Sequence, residues 1–468
     1  MSYFDECERY GSQIALLDEE GLTVTYEQLA EGCEAMGQVL QSRSLVFHLC
    51  ENVAGSAAEY VGFLHNRVVP LMLDAKIDGG LLAHLLEVYR PRYISVPDHM
   101  AGQYQDKPLL WKHWGYSLFR LEEEQVYPLH DDLALLLTTS GSTGSPKLVR
   151  QSYTNTESNA ESIAQYLELD ATERPVTTLP MNYTYGLSII NSHLLVGATI
   201  LLTTKSIMSR DFWMFMREQK ATSFGGVPFT YEMLKRVRFF RMKLPDLRTF
   251  TQAGGKLAPE LHREFAEYAQ QTGKHFVVMY GQTEATARMS YLPYEKSLEK
   301  YGSIGIAIPG GRLELIDVNG ETITQPDVVG ELMYHGPNVT LGYAEQGEDL
   351  AKGDERGGVL VTGDMAKMDE DGYFFVVGRK KRFLKLFGNR VNLDEIDRMV
   401  KQRYPDLDCA STGTDQQLKI YLTDESKLDE VKKFLSTTTH LNPSAFAAYY
   451  IPEIPKNESG KTLYKELP

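Results

Sequence analysis

Cysteine is scarce in this 468-residue chain, with 4 in all. Cys7, Cys33, Cys50 and Cys409 form no CxxC pair and adjoin no histidine cluster, which argues against a zinc centre and a disulfide framework and predicts a reducing, cytoplasmic setting. Long apolar runs are missing too. No stretch reaches membrane-spanning length, and the polar start MSYFDECERYG lacks a secretory core, so neither a membrane span nor a targeting segment is expected. Positive charge is in deficit: 48 Lys and Arg against 63 Asp and Glu leave a formal net charge of -15. Such a field repels nucleic acid and anionic membranes, and neither is an expected partner. Residues 381–468, by contrast, hold 14 basic against 13 acidic residues, so the acidity lies upstream. Internal repeats and low-complexity tracts are absent as well.

What is present is a long chain with ample apolar content, and its length predicts two or more domains. A helical pattern over 25–40 alternates with strand-like runs at 45–49, 92–96, 176–179, 197–203 and 276–280, and Pro259 opens a helix over 259–272. This alternation predicts an α/β fold. In open α/β sheets ligands gather beyond the carboxyl ends of the strands, so the loops starting at Thr138, Met181, Gly254 and Gly281 are expected to share one cleft. After Tyr301 the texture changes to short strands with glycine turns, at 312–317, 331–335, 358–362 and 373–377, with a turn at Asn319-Gly320. That pattern predicts a small β-rich subdomain. A basic segment at 379–382, expected to be exposed, marks a boundary between a large domain, 1–380, and a small α+β domain, 381–468.

The most informative segment is TTSGSTGSPK, from Thr138 to Lys147, which follows the apolar run 133–137. Glycines let the backbone turn close to a ligand, amides and hydroxyls converge on oxygen, and the lysine adds charge, a composition suited to polyphosphate. The P-loop of nucleoside triphosphatases needs a glycine before the lysine and Ser or Thr after it; Pro146 and Leu148 stand there instead, which removes a kinase or motor ATPase. Four further segments follow in order: YGQTE, TGD, GRKKRFLKLFG and PKNESGK. Taken singly, Asp364 reads as a turn residue, Arg379 as a surface cation and Lys461 as a solvated tail charge.

Taken in this order, the five segments resemble those of the adenylate-forming superfamily of acyl-CoA and aryl-CoA ligases, firefly luciferase and peptide-synthetase adenylation domains, over roughly residues 20–465. The resemblance implies a large AMP-binding domain with a mobile C-terminal lid, and ATP, Mg²⁺ and either coenzyme A or a phosphopantetheine carrier as reactants. Thr139, Ser140, Gly141, Ser142, Thr143, Gly144 and Lys147 would wrap the β- and γ-phosphates. Tyr280, Gly281 and Gln282 would face adenine beside the Gly254-Gly255 turn, with Thr283 on the α-phosphate and Glu284 as the Mg²⁺ ligand. Asp364 and Arg379 would hold the ribose, and Lys461 would bridge the acyl carboxylate and the α-phosphate as charge builds. Lys381 takes the hinge position, while Lys385 and Gly388 would serve the thioester step, the glycine letting a pantetheine arm pass close to backbone.

Several positions depart from the family pattern. Tyr183 stands where many acyl- and aryl-CoA ligases have histidine, Leu148, Tyr153 and Lys381 replace common family residues, and 181–186 contain no acid to pair an α-ammonium, which disfavours an α-amino acid. Tyr183, Gly225, Gly226 and Val227 would line the acyl pocket, where small glycines beside tyrosines suggest a ring or a short chain. Arg288 is read as half of a structural salt bridge, a second substrate carboxylate being its alternative partner. The expected activity is ATP-dependent activation of a small carboxylic acid and its transfer to a thiol, with a separate acyl or peptidyl carrier protein as a possible partner. A stand-alone adenylation enzyme for a peptide or polyketide synthetase, a luciferase-like oxidase and an inactive ATP-binding sensor are the rival readings.

Overall fold

Continuous apolar runs become buried parallel strands. In the computed structural model, described over residues 7–138, 147–386, 389–414, 416–439, 441–456 and 462–468, the chain divides into two units, Met1–Leu313 with Tyr334–Leu360, and Glu314–Met333 with Val361–Pro468. The expected boundary after residue 380 lies inside the second unit.

The first unit is built on two large sheets. In the eight-stranded sheet, Leu45–Cys50 runs parallel to Val69–Asp74 and Tyr93–Pro97, and Leu133–Thr138 runs parallel to Val69–Asp74. Every residue of LVFHLC is buried, as expected of a strand covered on both faces. In the nine-stranded sheet, Ser223–Gly226, Thr249–Gln252 and His275–Tyr280 are parallel neighbours with Gly226 opposite Gln252 and Gln252 opposite Val278. Their carboxyl ends therefore lie side by side and deliver Val227, Gly254 and Gly281 at one edge.

Helices Ala54–His65 and Thr184–Leu195 are buried over almost their whole length, which is where helices apolar on all sides belong. They share a core with both sheets, in which Leu16, Tyr60, Leu135, Leu137, Ile190 and Ile200 pack together. The helix Pro259–Thr272 runs as its sequence predicts, with Pro259 in its first turn and Gly273 in the left-handed conformation after its end.

The second unit carries the expected glycine-rich hairpins in a five-stranded sheet that includes Val359–Met368 antiparallel to Phe374–Arg379. A three-stranded sheet, Cys409–Thr414, Gln417–Leu422 and Phe446–Tyr450, shares a core with helices Leu393–Arg403 and Leu428–Thr439 through Ile396, Val400, Ile420, Val431 and Leu435. One expectation fails here. Arg382 is not an exposed member of a basic run: its Nε pairs with Asp394, its second terminal nitrogen lies 2.7 Å from Asp397, and its guanidinium covers the Tyr464 ring at 3.7 Å. Two carboxylates on one face of the helix Leu393–Arg403 draw it inward. No helix among the described residues is long and apolar enough to cross a membrane.

Candidate active site

The turn after His275–Tyr280 organises the first unit's candidate site. Gly281 is required there, because a Cβ would lie 1.4 Å from the Ala287 carbonyl oxygen as the chain folds back on itself. Thr283–Ala285 form one short helical turn, after which Thr286 (φ 50°) and Ala287 (φ 94°) adopt left-handed backbone, a strained arrangement for side-chain-bearing residues. Buried asparagines hold it in place. Asn338 Nδ2 donates to the carbonyls of Ala285 (2.7 Å) and Arg288 (2.8 Å), and Asn159 Nδ2 donates to the Arg288 carbonyl (3.0 Å). Tyr334 Oη donates to Asn338 Oδ1 at 2.7 Å, so the clamp is itself fixed.

This frame aims Glu284 at a cluster of charge and aromatic surface. Tyr343 Oη donates to Glu284 Oε1 at 2.7 Å, and the Glu284 carbonyl accepts from Thr340 Oγ1 and from Arg356, each at 3.0 Å. The Tyr343 ring lies 4.7 Å from the Arg356 guanidinium and 5.5 Å from Lys147 Nζ, which pairs with Glu345 at 2.5 Å. Burial, with the Glu284 carboxylate beside it, pushes the Tyr343 phenol up to about 12. Tyr343, Glu345, Lys352, Glu355 and Arg356 border an open cleft. Two of the predicted residues, Lys147 and Glu284, thus meet on one tyrosine. Gln282 Nε2 donates to Tyr280 Oη at 3.2 Å, and the Thr283 carbonyl accepts from Gln151 at 3.5 Å.

A hard carboxylate oxygen at Glu284 fits Mg²⁺, an ion usually held by one or two carboxylates together with substrate phosphates. The described residues contain no group of three or more His, Cys, Asp or Glu placed to hold a metal.

The predicted acyl-pocket residues also come together. Gly254 (φ 83°) leaves room for Tyr183, since a Cβ there would lie 2.7 Å from Tyr183 Oη and 3.0 Å from Val227. A Cβ on Gly225 would lie 3.0 Å from Tyr185 Oη, one on Gly226 would press on Thr230 and Tyr231, and one on Gly255 would meet Pro228 at 3.1 Å. Tyr185, Ile189, Val227 and Ala253 form one apolar cluster with Tyr166, Tyr183 and Tyr291 against it. Met181 is buried, its backbone N–H held by Asn52 at 3.0 Å, so the loop that starts there serves the core while Tyr183 packs against Gly254. Arg288 does not form the expected salt bridge: among the described residues it has no ion-pair partner.

In the second unit, Asp364 and Arg379 stand opposite each other on paired strands, and Arg379 Nε contacts Asp364 Oδ1 at 2.7 Å. Asp364 is nearly inaccessible and Arg379 is exposed. Thr139, Ser140, Gly141, Ser142, Thr143, Gly144, Gly388 and Lys461 lie outside the described residues. Lys385 belongs to the strand Phe383–Leu386 by its backbone; its side chain, like that of Lys381, is likewise outside the description.

Sequence reasoning missed Tyr343, Arg356, Asn159 and Asn338. The one local signal is the Gly342-Tyr343 pair, on a three-residue strand, Gly342–Ala344, that lies antiparallel to Leu148–Ser152 and so brings Tyr343 beside Lys147.

A lysine beside a strand, a pinned carboxylate and glycines packed against tyrosine rings at the ends of parallel strands are features of a nucleotide-dependent α/β enzyme class. The chain belongs to the AMP-binding enzyme family, whose model matches residues 3–344. It is 30% identical over 353 residues to the oxalate–CoA ligase of Arabidopsis thaliana, covering 71% of this chain and 66% of that protein, just short of two thirds of its length. With the 2-succinylbenzoate–CoA ligase of Bacillus licheniformis it shares 27% identity over 458 residues, 90% of this chain and 93% of that one. The structure of o-succinylbenzoate coenzyme A synthetase from Bacillus subtilis, in complex with ATP and magnesium ion, superposes with a TM-score of 0.78 at 21% identity, covering 100% of this chain and 99% of that one. At that identity the likeness carries the fold, a large N-terminal domain followed by a small C-terminal one.

Proposed function

We propose that this chain is an ATP-dependent carboxylate–CoA ligase. A carboxylate oxygen attacks the α-phosphorus of ATP, the bond to the β-phosphate oxygen breaks and pyrophosphate leaves. A thiol then attacks the acyl carbonyl and AMP departs. The observation that supports this reading above the others is the meeting of Lys147, Glu284 and Arg356 on Tyr343 within a chain of the AMP-binding family. Two anions must approach each other in the first step, so the site needs cations and oriented dipoles where charge accumulates. Lys147 and the 139–144 segment are assigned to the β- and γ-phosphates, Thr283 to the α-phosphate, and Tyr280, Gly281, Gln282 and Gly254-Gly255 to adenine. Glu284 would hold Mg²⁺, which supplies electrostatic stabilisation of phosphate oxygens. Asp364 would accept the ribose hydroxyls, with Arg379 released from its pairing to reach the ribose.

Lys461 is assigned to the adenylation step and Lys385 with Gly388 to thioester formation, the small domain 381–468 exchanging one for the other about Lys381. Coenzyme A is the acceptor the relatives' names support; a carrier protein's phosphopantetheine offers the same thiol chemistry and is the alternative. A reducing, cytoplasmic setting belongs to the same reading.

Acid-dependent exchange of labelled pyrophosphate into ATP tests the first step, and a comparison of coenzyme A with loaded carrier protein as acceptor tests the second. Exchange with some acid followed by thioester formation is expected. ATP binding with no exchange for any acid would leave the sensor reading instead.

A further inference from the structure

Arg288 has one of the largest fully buried side chains of the protein, with 2% of its surface exposed. Its guanidinium sits 3.8 Å above the Tyr185 ring, no carboxylate among the described residues pairs with it, and its Nε has no hydrogen-bond partner. A cation buried without a counter-charge is among the costliest arrangements a fold can hold. The chain nevertheless aims it deliberately: the Arg288 carbonyl is clamped by both Asn159 and Asn338, at the end of the same turn that presents Glu284.

Its surroundings are those of the acyl pocket. The charge of Arg288 acts on Tyr166, Tyr183 and Tyr185, each raised chiefly by burial and drawn back by the guanidinium, Tyr183 standing at about 12. The Tyr185 hydroxyl bonds Thr251 at 2.8 Å and that of Tyr166 meets Met279 at 3.0 Å, whereas the Tyr183 hydroxyl has no partner among the described residues. Arg288, which meets the Tyr185 side chain but no anion among the described residues, and Tyr183 therefore adjoin an apolar cluster of Tyr166, Tyr185, Ile189 and Val227.

From this juxtaposition we infer that Arg288 is a specificity-determining residue that binds a second, distal carboxylate of the acid, so that the substrate is a short dicarboxylic acid. The inference rests on the ligase reading. A guanidinium presents a planar fork that matches a carboxylate with two parallel hydrogen bonds, and Tyr183 can supply a third. Apolar walls suit the carbon chain between the two acid groups. The closeness of Gly225 to Tyr185 and of Gly254 to Tyr183 keeps that chain short.

The test uses matched acids differing only in the distal group: butyrate against succinate, valerate against glutarate, benzoate against isophthalate. For the wild-type protein, kcat/KM for pyrophosphate release is expected to favour one diacid over its matched monoacid by at least about tenfold, about 1.4 kcal/mol. Arg288→Met should abolish that preference through a raised KM for the diacid, with the KM for ATP unchanged, and Arg288→Lys should keep part of it. Because a buried unpaired charge is removed, Arg288→Met is expected to melt no lower than wild type, and an ATP-induced rise in its melting temperature shows that it is folded. Diacid-induced thermal shifts without ATP provide a readout independent of turnover. Monoacids reacting as well as diacids, with the ranking unchanged in Arg288→Met, overturn the inference and leave the ligase reading intact. Should no acid support exchange, the ligase reading fails, and protection of the wild type but not of Arg288→Met by a diacid still decides the role of Arg288.

Discussion

Glu59 and His48 are both fully buried in the first unit, neither has an ion-pair partner among the described residues, and replacing Glu59 tests why the fold tolerates them. Ser95 Oγ is hydrogen-bonded to Glu59 Oε2 and lies 2.9 Å from His48 Nδ1. His48 Nε2 lies 2.9 Å from Ser56 Oγ, which donates to Met181 Sδ at 3.1 Å. The chain through Glu59 Oε2 closes when both titratable groups are neutral: the carboxyl O–H donates to Ser95, Ser95 to Nδ1, and Nε2–H to Ser56, with Glu59 Oε1 left unpartnered. Burial accordingly pushes the Glu59 carboxyl from 4.5 up to about 8 and the His48 imidazole from 6.5 down to about 3. At pH 7 the folded protein keeps a proton on Glu59 that the unfolded chain has lost, so stability falls as pH rises between 4.5 and about 8. The slope is about 1.4 kcal/mol per pH unit, giving about 3 kcal/mol lost by pH 7 relative to acid, a large part of a typical folding free energy. Glu59→Gln keeps the donor and removes the titration. Its stability relative to wild type should therefore climb by about 1.4 kcal/mol per unit from pH 5 to 8. Below pH 6.5 the unfolded His48 takes up a proton that the folded one refuses, so Glu59→Gln should weaken toward acid while in the wild type the Glu59 contribution offsets that loss. Urea unfolding followed by tryptophan fluorescence reports this unit, since Trp111, Trp114 and Trp213 all lie in it. Parallel stability curves for the two proteins across pH 5 to 8 would refute the reasoning.

Asn338→Ala strands the Ala285 carbonyl and the Tyr334 hydroxyl and leaves the Arg288 carbonyl with Asn159 alone, each unsatisfied group costing about 1–3 kcal/mol; thermal unfolding should fall by several degrees, and adenylation should suffer more than ATP affinity. An active-site turn that keeps full activity without this clamp would contradict its positioning role. Arg382→Met leaves Asp394 and Asp397 without their cation. Burial already holds Asp397 at about 6 despite Arg382, so the loss should be greatest above that pH, where both carboxylates are ionised, and about 3–5 kcal/mol of local stability should disappear, read by hydrogen exchange in the second unit. Lys461→Ala should slow acyl-adenylate formation about 10²–10³-fold with the ATP-induced thermal shift preserved; an unchanged rate, or lost ATP binding, contradicts the assignment.

The parts of the fold that were legible are those where one local force decides. LVFHLC reads as a strand because all but His48 of it is apolar, and the helix Pro259–Thr272 is bounded at one end by a proline and at the other by a left-handed glycine. Glu284 was legible as a candidate through the family resemblance of YGQTE, a segment that follows a strand and holds a glycine the turn requires. Tyr343, Arg356 and Asn338 were not, since each acquires its role from a contact with a segment 50 or more positions earlier and none carries a local pattern of its own. The same limit explains Arg382. A run of cations reads as solvated until the helix Leu393–Arg403 turns two aspartates toward one of them.

Arg288 and Glu59 separate structural from functional burial of a charge. Both are surrounded by apolar and aromatic groups, and both lack an opposite charge among the described residues. Glu59 escapes the cost of a buried charge by keeping its proton, and Ser95 and His48 complete a neutral chain from its Oε2. A guanidinium has no such route, because it remains a cation at any pH a protein tolerates. The cost of Arg288 therefore persists in the protein alone and is relieved only when an anion enters the pocket. Free energy withheld from folding in this way becomes available to discriminate between acids: one that ends in a carboxylate recovers it, and one that ends in a methyl group leaves the cation stranded.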